Sequence, residues 1–281
     1  MFKRILLPLE PGSSDTCAIS IASSLAGLVG AELVGLVVED ESRFMKISTG
    51  AMIAEALTAQ PIVGSPRSPE EAMQIEEQME KESQELISQF EACSDKADID
   101  ARFVVLRGNP TELTLSLART VDMIVIGNSK LQGPQGVSAD RLLHTTTRPV
   151  LVVPEDAGGE SSLVIGYDGS AASERVIRLA ANIAEAMDLG TVHLLTIDSD
   201  LERAEKVQAP GLDYLSAYDF DLVPVCLDGE AAEEIISYAK EVDASIVALG
   251  AFGTNRFIEK VFGSTTQTVL DGAPSAVLLV S

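Results

Sequence analysis

Ser245-Ile-Val-Ala-Leu-Gly-Ala-Phe-Gly253, followed after nine residues by Gly263-Ser264, decides how this chain is read. Ser245 to Leu249 is a short apolar run of the kind that forms a buried strand. It empties into glycines, with a helical segment beyond. Backbone N–H groups at such a junction can wrap an anion, and a helix start favours negative charge. Glycine lets the backbone approach an anion closely and adopt positive φ. The same glycines also suit a tight turn with close packing.

Working outward, the chain is duplicated. In the second half, Leu163-Val-Ile-Gly-Tyr-Asp168 reads as a strand, then Gly169-Ser170 as a turn, then Ala171 to Met187 as a helix capped by Ser170 with Glu174 in its first turn. In the first half, Arg4 to Leu9, a Gly12-Ser13-Ser14 turn and Cys17 to Val29 repeat that order. Second strands follow at Glu32 to Val38 and Thr191 to Ile197. Third strands follow at Ala101 to Leu106 and Asp221 to Leu227. Glycine turns at Gly108 and Gly229 then open helices. Fourth strands lie at Met123 to Ile126 and Ser245 to Leu249, and fifth strands at Pro149 to Val153 and Ala276 to Val280. Alternation of apolar strands with helices predicts an α/β fold with two tandem open parallel five-stranded sheets flanked by helices. The domains are expected at 1–156 and 162–281, joined by the acidic, glycine-containing stretch Glu155 to Ser161. The first half carries extra residues around 42–90, including a charged helix near Glu70 to Glu91 with Ile75, Met79, Leu86 and Phe90 on one face. That region reads as a cover over the sheet or as a lid or partner surface.

Composition narrows the function. The 281 residues are 46% hydrophobic and 22% charged, so the chain is globular, with cores built from Val, Ile, Leu and Ala because aromatics are only 4%. A net charge of −23 repels nucleic-acid phosphates and anionic lipid. Cys17, Cys93 and Cys226 are far apart and form no CxxC, so neither a disulfide framework nor a zinc ribbon is expected. The apolar run at the N-terminus is too short for a signal peptide, and no stretch is long enough for a transmembrane helix. A reduced, cytoplasmic location is the expectation. His144 and His193, the two histidines, supply no metal cluster or triad.

In a parallel α/β sheet, ligands bind beyond the carboxyl ends of the strands at the switch point. Asp168, Ile197 with Asp198, and Gly250 end three strands of the second half. If the first and fourth strands adjoin, Asp168 and the glycine loop share one crevice. There a carboxylate accepts from an adenine amino group or a ribose hydroxyl, while the loop holds phosphates. Ser264 and Thr265 add donors at a helix start, and Arg256 and Lys260 offset phosphate charge. Asp168 also reads as a turn carboxylate at a helix start, and the two cations as solvated loop residues.

These residues resemble the tandem universal stress proteins. That family's nucleotide pattern, glycine, two residues, glycine, nine residues, glycine, then serine or threonine, stands here as Gly250, Gly253, Gly263 and Ser264. Its Asp-Gly-Ser turn stands as Asp168, Gly169 and Ser170, and its adenine-contacting apolar residue falls near Ile197. The resemblance implies a doubly wound fold like that of the adenine nucleotide alpha hydrolases. It implies ATP or another adenine nucleotide in the second half, with Mg²⁺ recruited through the phosphates, and a regulatory or stress-response role without catalysis beyond slow ATP hydrolysis. It also implies that the fifth strands pair within the chain as an internal pseudo-dimer, and it permits a homodimer of whole chains.

The first half departs from the pattern. Glu10 replaces the aspartate and is followed by Pro11; Lys130 replaces the second glycine; Gly136 follows Gly127 too soon and lacks the hydroxyl. Nucleotide is therefore expected in the second half only. Two alternatives stand beside this. One is a nucleotide-independent interaction module with a protein partner on the 42–90 region. The other is an ATP pyrophosphatase, from a faint likeness at Pro11 to Thr16.

Overall fold

The computed structural model describes residues 2–11, 15–46, 65–128, 137, 139–251 and 264–281. The first half runs β1 (Arg4–Leu9), α1 (Thr16–Val29), β2 (Glu32–Asp40), a two-residue hairpin of β3 (Met45–Lys46) and β4 (Ser65–Pro66), α2 (Pro69–Ala97), β5 (Ala101–Gly108), α3 (Pro110–Ala118), β6 (Met123–Gly127), α4 (Ala139–Thr145) and β7 (Val150–Val153). The second runs β8 (Glu160–Gly166), α5 (Ala171–Ala186), β9 (Thr191–Ile197), α6 (Leu201–Leu215), β10 (Asp221–Leu227), α7 (Ala231–Glu241), β11 (Ala244–Gly250), α8 (Ser264–Gly272) and β12 (Ala276–Val280).

The two expected five-stranded parallel sheets are present, and they are joined. One ten-stranded sheet runs β10-β9-β8-β11-β12-β7-β6-β1-β2-β5. Every pair in it is parallel except β12 with β7, where Val277 faces Val152, Leu278 faces Leu151 and Leu279 faces Val150. The internal pairing of the fifth strands is thus as expected. All of these side chains are buried, so each half covers the apolar edge that the other would otherwise leave open. The outer edges are β5 and β10, and Pro224 sits in β10, where a missing N–H does least harm.

Alternation along the strands sends side chains to two faces, and each face packs one apolar core that runs through both halves. Ile5, Leu7, Leu163, Ile165 and Leu278 share one core with Ile19 of α1, Phe90 of α2 and Val176 of α5. Leu6, Ile124, Val164, Val277 and Leu279 share the other with Leu142 of α4, Ile235 of α7 and Val269 of α8. Burying one such side chain is worth about 1.5–3 kcal/mol. The seam is pinned further by Asn128 Nδ2, which donates to the Leu270 carbonyl oxygen at 3.1 Å.

The extra length of the first half lies in the crossover between its second and third strands. Helix α2 stands where α6 stands in the second half, and it has 29 residues against 15. The sequence supports its start: Ser68 accepts from the Glu71 N–H and Glu71 reaches back to the Ser68 N–H, with Pro69 at the first helical position. Met79, Leu86 and Phe90 bury the predicted apolar face, and Phe90 meets Phe103 of β5 edge-on at 5.2 Å. Along this helix the covering role is the one built. Residues 47–64 of the extra region lie outside the described residues. No described helix is long and apolar enough to cross a membrane.

Candidate functional site

In each half the spatial order of strands is third, second, first, fourth, fifth, so the switch point falls between the first and fourth strands. In the second half those strands are β8 and β11, which pair directly, with Ile165 opposite Ala248. On the other side β8 pairs with β9, with Gly166 opposite Leu195. Continued by two residues, these registers put Asp168 level with Ile197 and Tyr167 level with Gly250. Asp168, Ile197 and Gly250 thus follow or end three neighbouring strands on the same edge of the sheet.

Local chemistry explains the turn. Gly169 has φ of +71°, a left-handed value that a side chain would strain. Asp168 Oδ1 accepts from the Ser170 N–H at 2.9 Å. Ser170 caps α5 by accepting from the Ser173 N–H at 3.2 Å. Desolvation pushes the Asp168 carboxyl upward, but hydrogen bonds from Ser170 and from the Ser173 side chain outweigh it and hold the group below the ordinary aspartate range. Asp168 is exposed and stays ionised at neutral pH. It serves the turn with one oxygen and faces solvent at the switch point.

Gly250 has a packing role as well. A Cβ there would lie 2.8 Å from the Ala172 Cβ and 2.9 Å from the Ala172 carbonyl carbon, so the end of β11 runs against the first turn of α5. Beyond it, Gly253, Arg256, Lys260 and Gly263 lie outside the described residues. Ser264 and Thr265 open α8, the first exposed and the second half-buried. Ile197 is half-buried against the core beneath, and the next residue, Asp198, is held by Arg203 through two contacts of 2.7 and 2.5 Å.

The first half builds a crevice at its own switch point. The ends of β1, β2 and β6, with the start of α3, enclose about 200 Å³. Among the described residues, Glu10, in the place of Asp168 in the second half, lines it with Asp40, Arg43 and Thr114. Lys130 and Gly136 lie outside the described residues.

Residues 52–154 and 161–281 each match the universal stress protein family. The chain belongs to that family. It is 28% identical over 163 residues to the universal stress protein Slr1230 of Synechocystis, a match over 53% of this chain and 54% of that protein, so the matched stretch spans about half the length of that relative. Among solved structures, a universal stress protein from Archaeoglobus fulgidus shares the fold at a TM-score of 0.71 and 17% identity, over 99% of this chain and 96% of that one. A putative universal stress protein from Pseudomonas aeruginosa does so at 0.65 and 17%, over 100% and 93%. For a member of the universal stress protein family, the two halves are unequal. In the second half the Asp168 turn and the strand end at Gly250 flank the switch point, while Glu10 and Pro11 occupy the matching corner of the first.

Three features escaped the sequence reading. Thr114 is distant in sequence from every strand end it meets. Gln208 is buried in α6 and donates to the carbonyls of Leu194 and Val225 at 2.7 and 2.9 Å, tying the helix to β9 and β10; a lone amide among the polar residues of α6 gave no signal. Tyr167 is buried, and burial raises its phenol pKa, followed by the nearby Glu174 and Asp168 charges. Among the described residues no group of three or more His, Cys, Asp and Glu side chains could hold a metal ion.

Proposed function

We propose that this chain is a nucleotide-responsive regulatory protein that binds ATP, or another adenine nucleotide, in its second half. The observation that carries the reading is the direct pairing of β8 with β11, so that the turn carrying Asp168 and the strand end at Gly250 both fall at the switch point where such folds take ligands. In this reading Asp168 and Ile197 receive the adenosine end. The chain from Gly250 through Gly253 and Arg256 to Gly263, with Ser264 and Thr265, receives the phosphates. The exposed Asp168 and the hydroxyl-bearing start of α8 suit those tasks. Mg²⁺ would arrive with the phosphates rather than in a protein cage. No general base is proposed, so hydrolysis would be slow. A cytoplasmic location and a role in stress adaptation go with this reading.

Calorimetric titration of ATP into the whole protein tests it. Gly253→Val puts a branched side chain into the phosphate loop and should abolish binding with little change in stability. Unchanged affinity in a folded Gly253→Val protein would remove the assignment.

A further inference from the structure

The residue before Asp168 is fixed at three points, and one of them is a side-chain hydroxyl. Tyr167 is buried, and its N–H donates to the Leu195 carbonyl oxygen at 2.8 Å, one step beyond the end of β8. Its ring lies against α6, where a Cβ at Gly211 would stand 3.3 Å from the Tyr167 Cζ. Its carbonyl oxygen accepts from the Thr196 hydroxyl at 2.8 Å. A peptide is planar, so holding that carbonyl also sets the direction of the Asp168 N–H in the same plane. The Thr196 hydroxyl therefore fixes where the Asp168 turn begins.

The donor is itself held. Thr196 is buried, and Gln208 Nε2 on α6 donates to its oxygen at 3.4 Å. With that amide on one side, the hydroxyl proton is left for the Tyr167 carbonyl. Val207, beside Gln208, backs the turn: a Cβ at Gly169 would lie 3.1 Å from its Cγ1. Downstream, the Ser170 N–H holds Asp168 Oδ1. The chain is thus pinned on both sides of the carboxylate.

The first half supplies a contrast. There Leu9 of β1 lies opposite Val37 of β2, and Glu10 follows Leu9. Continued by one residue, the pairing of Gly166 with Leu195 sets Tyr167 opposite Thr196. Val37, also buried, therefore stands where Thr196 stands in the second half, and it has no hydroxyl to donate. The hydroxyl goes with the half that keeps the Asp-Gly-Ser turn.

We infer that Thr196 is a positioning residue for the second-half site. Buried beneath the turn, it acts through Asp168: it holds the Tyr167–Asp168 peptide so that the carboxylate meets the nucleotide already oriented. This role rests on the nucleotide reading proposed above for that half.

Calorimetric ATP titrations of the full chain, well below its melting temperature, test the inference with Thr196→Val, Thr196→Ser, Asp168→Asn and the Thr196→Val/Asp168→Asn double variant. Thr196→Val installs the residue that the first half has at this point, so the variant should fold. It should bind ATP about tenfold more weakly, the order of one hydrogen bond. Thr196→Ser keeps the hydroxyl and should restore affinity to within about threefold. In the Asp168→Asn background, Thr196→Val should weaken ATP by less than about threefold, because the carboxylate it positions is already gone. Its effect on melting temperature should be the same in both backgrounds. Unchanged affinity in Thr196→Val, a loss that Thr196→Ser does not rescue, or an equal loss in both backgrounds would each overturn the inference while leaving ATP binding in place. No ATP binding by the natural protein would instead remove the nucleotide reading, and this role with it.

Discussion

Leu278 of the last strand lies opposite Leu151 in antiparallel register, and this contact joins the two halves into one sheet and continues the core on one of its faces. Both side chains are buried, with exposures of 0% and 1%, so neither half has a complete core without the other. Leu278→Ala should cost about 2–5 kcal/mol. Denaturant melts followed by circular dichroism should still show one transition for the whole chain, shifted to lower midpoint. Two separate transitions would contradict the shared core.

Gly250 and Gly253 should separate in their effects. A methyl at residue 250 lands within 3 Å of the Ala172 backbone, where little can yield. Gly250→Ala should therefore destabilise by about 1–3 kcal/mol, measured as a fall in unfolding free energy. Gly253→Val should act on ligand affinity instead. Unchanged stability in Gly250→Ala would show that β11 and α5 are not tightly packed at that corner.

Asp168 has a turn role and a proposed ligand role, and one isostere divides them. Asp168→Asn keeps the oxygen that accepts from Ser170, so the melting temperature should fall little. It removes the charge that would accept from ribose or adenine, so nucleotide affinity should fall about tenfold or more. A large loss of stability with unchanged affinity would mean that the carboxylate serves the turn alone.

His193 provides a pH signature. Its ring is buried, with Nδ1 2.9 Å from the Tyr238 hydroxyl oxygen, and burial lowers its pKa although Asp221 pulls the other way. A lowered folded-state pKa means that the unfolded chain binds more protons below about pH 6.5, the ordinary histidine value. Stability from this group is thus complete above that pH and declines as the pH falls through it. His193→Gln should lose less melting temperature between pH 7 and pH 5 than the natural protein. Parallel curves for the two proteins would assign the acid sensitivity elsewhere.

The strands were legible because strands buried on both faces read as continuous apolar runs, and Leu163 to Ile165 and Val277 to Leu279 are of that kind. That Asp168 and Gly250 both fall beside the switch point was legible once the halves were matched, since each follows or ends a strand there. The start of α2 carried a signal that went unread. Ser68-Pro-Glu-Glu71 is a capping box, and it marks where the helix begins. The crevice of the first half was not legible. Val38, Ile126 and Thr114 belong to three elements and meet only when the sheet closes. Nor does local sequence reveal that Asn128, in the first half's altered loop, reaches across to the Leu270 carbonyl.

One half of this duplicated chain is proposed to hold an adenine nucleotide and the other is not. Acid precipitation of the freshly purified protein, with quantification of released nucleotide by mass spectrometry and a calorimetric ATP titration of the stripped protein, tests it most directly. Binding in the second half alone predicts an adenine nucleotide at no more than one per chain, with ATP rebinding at a single site. Two sites per chain, or no released nucleotide and no heat on ATP addition, would contradict it.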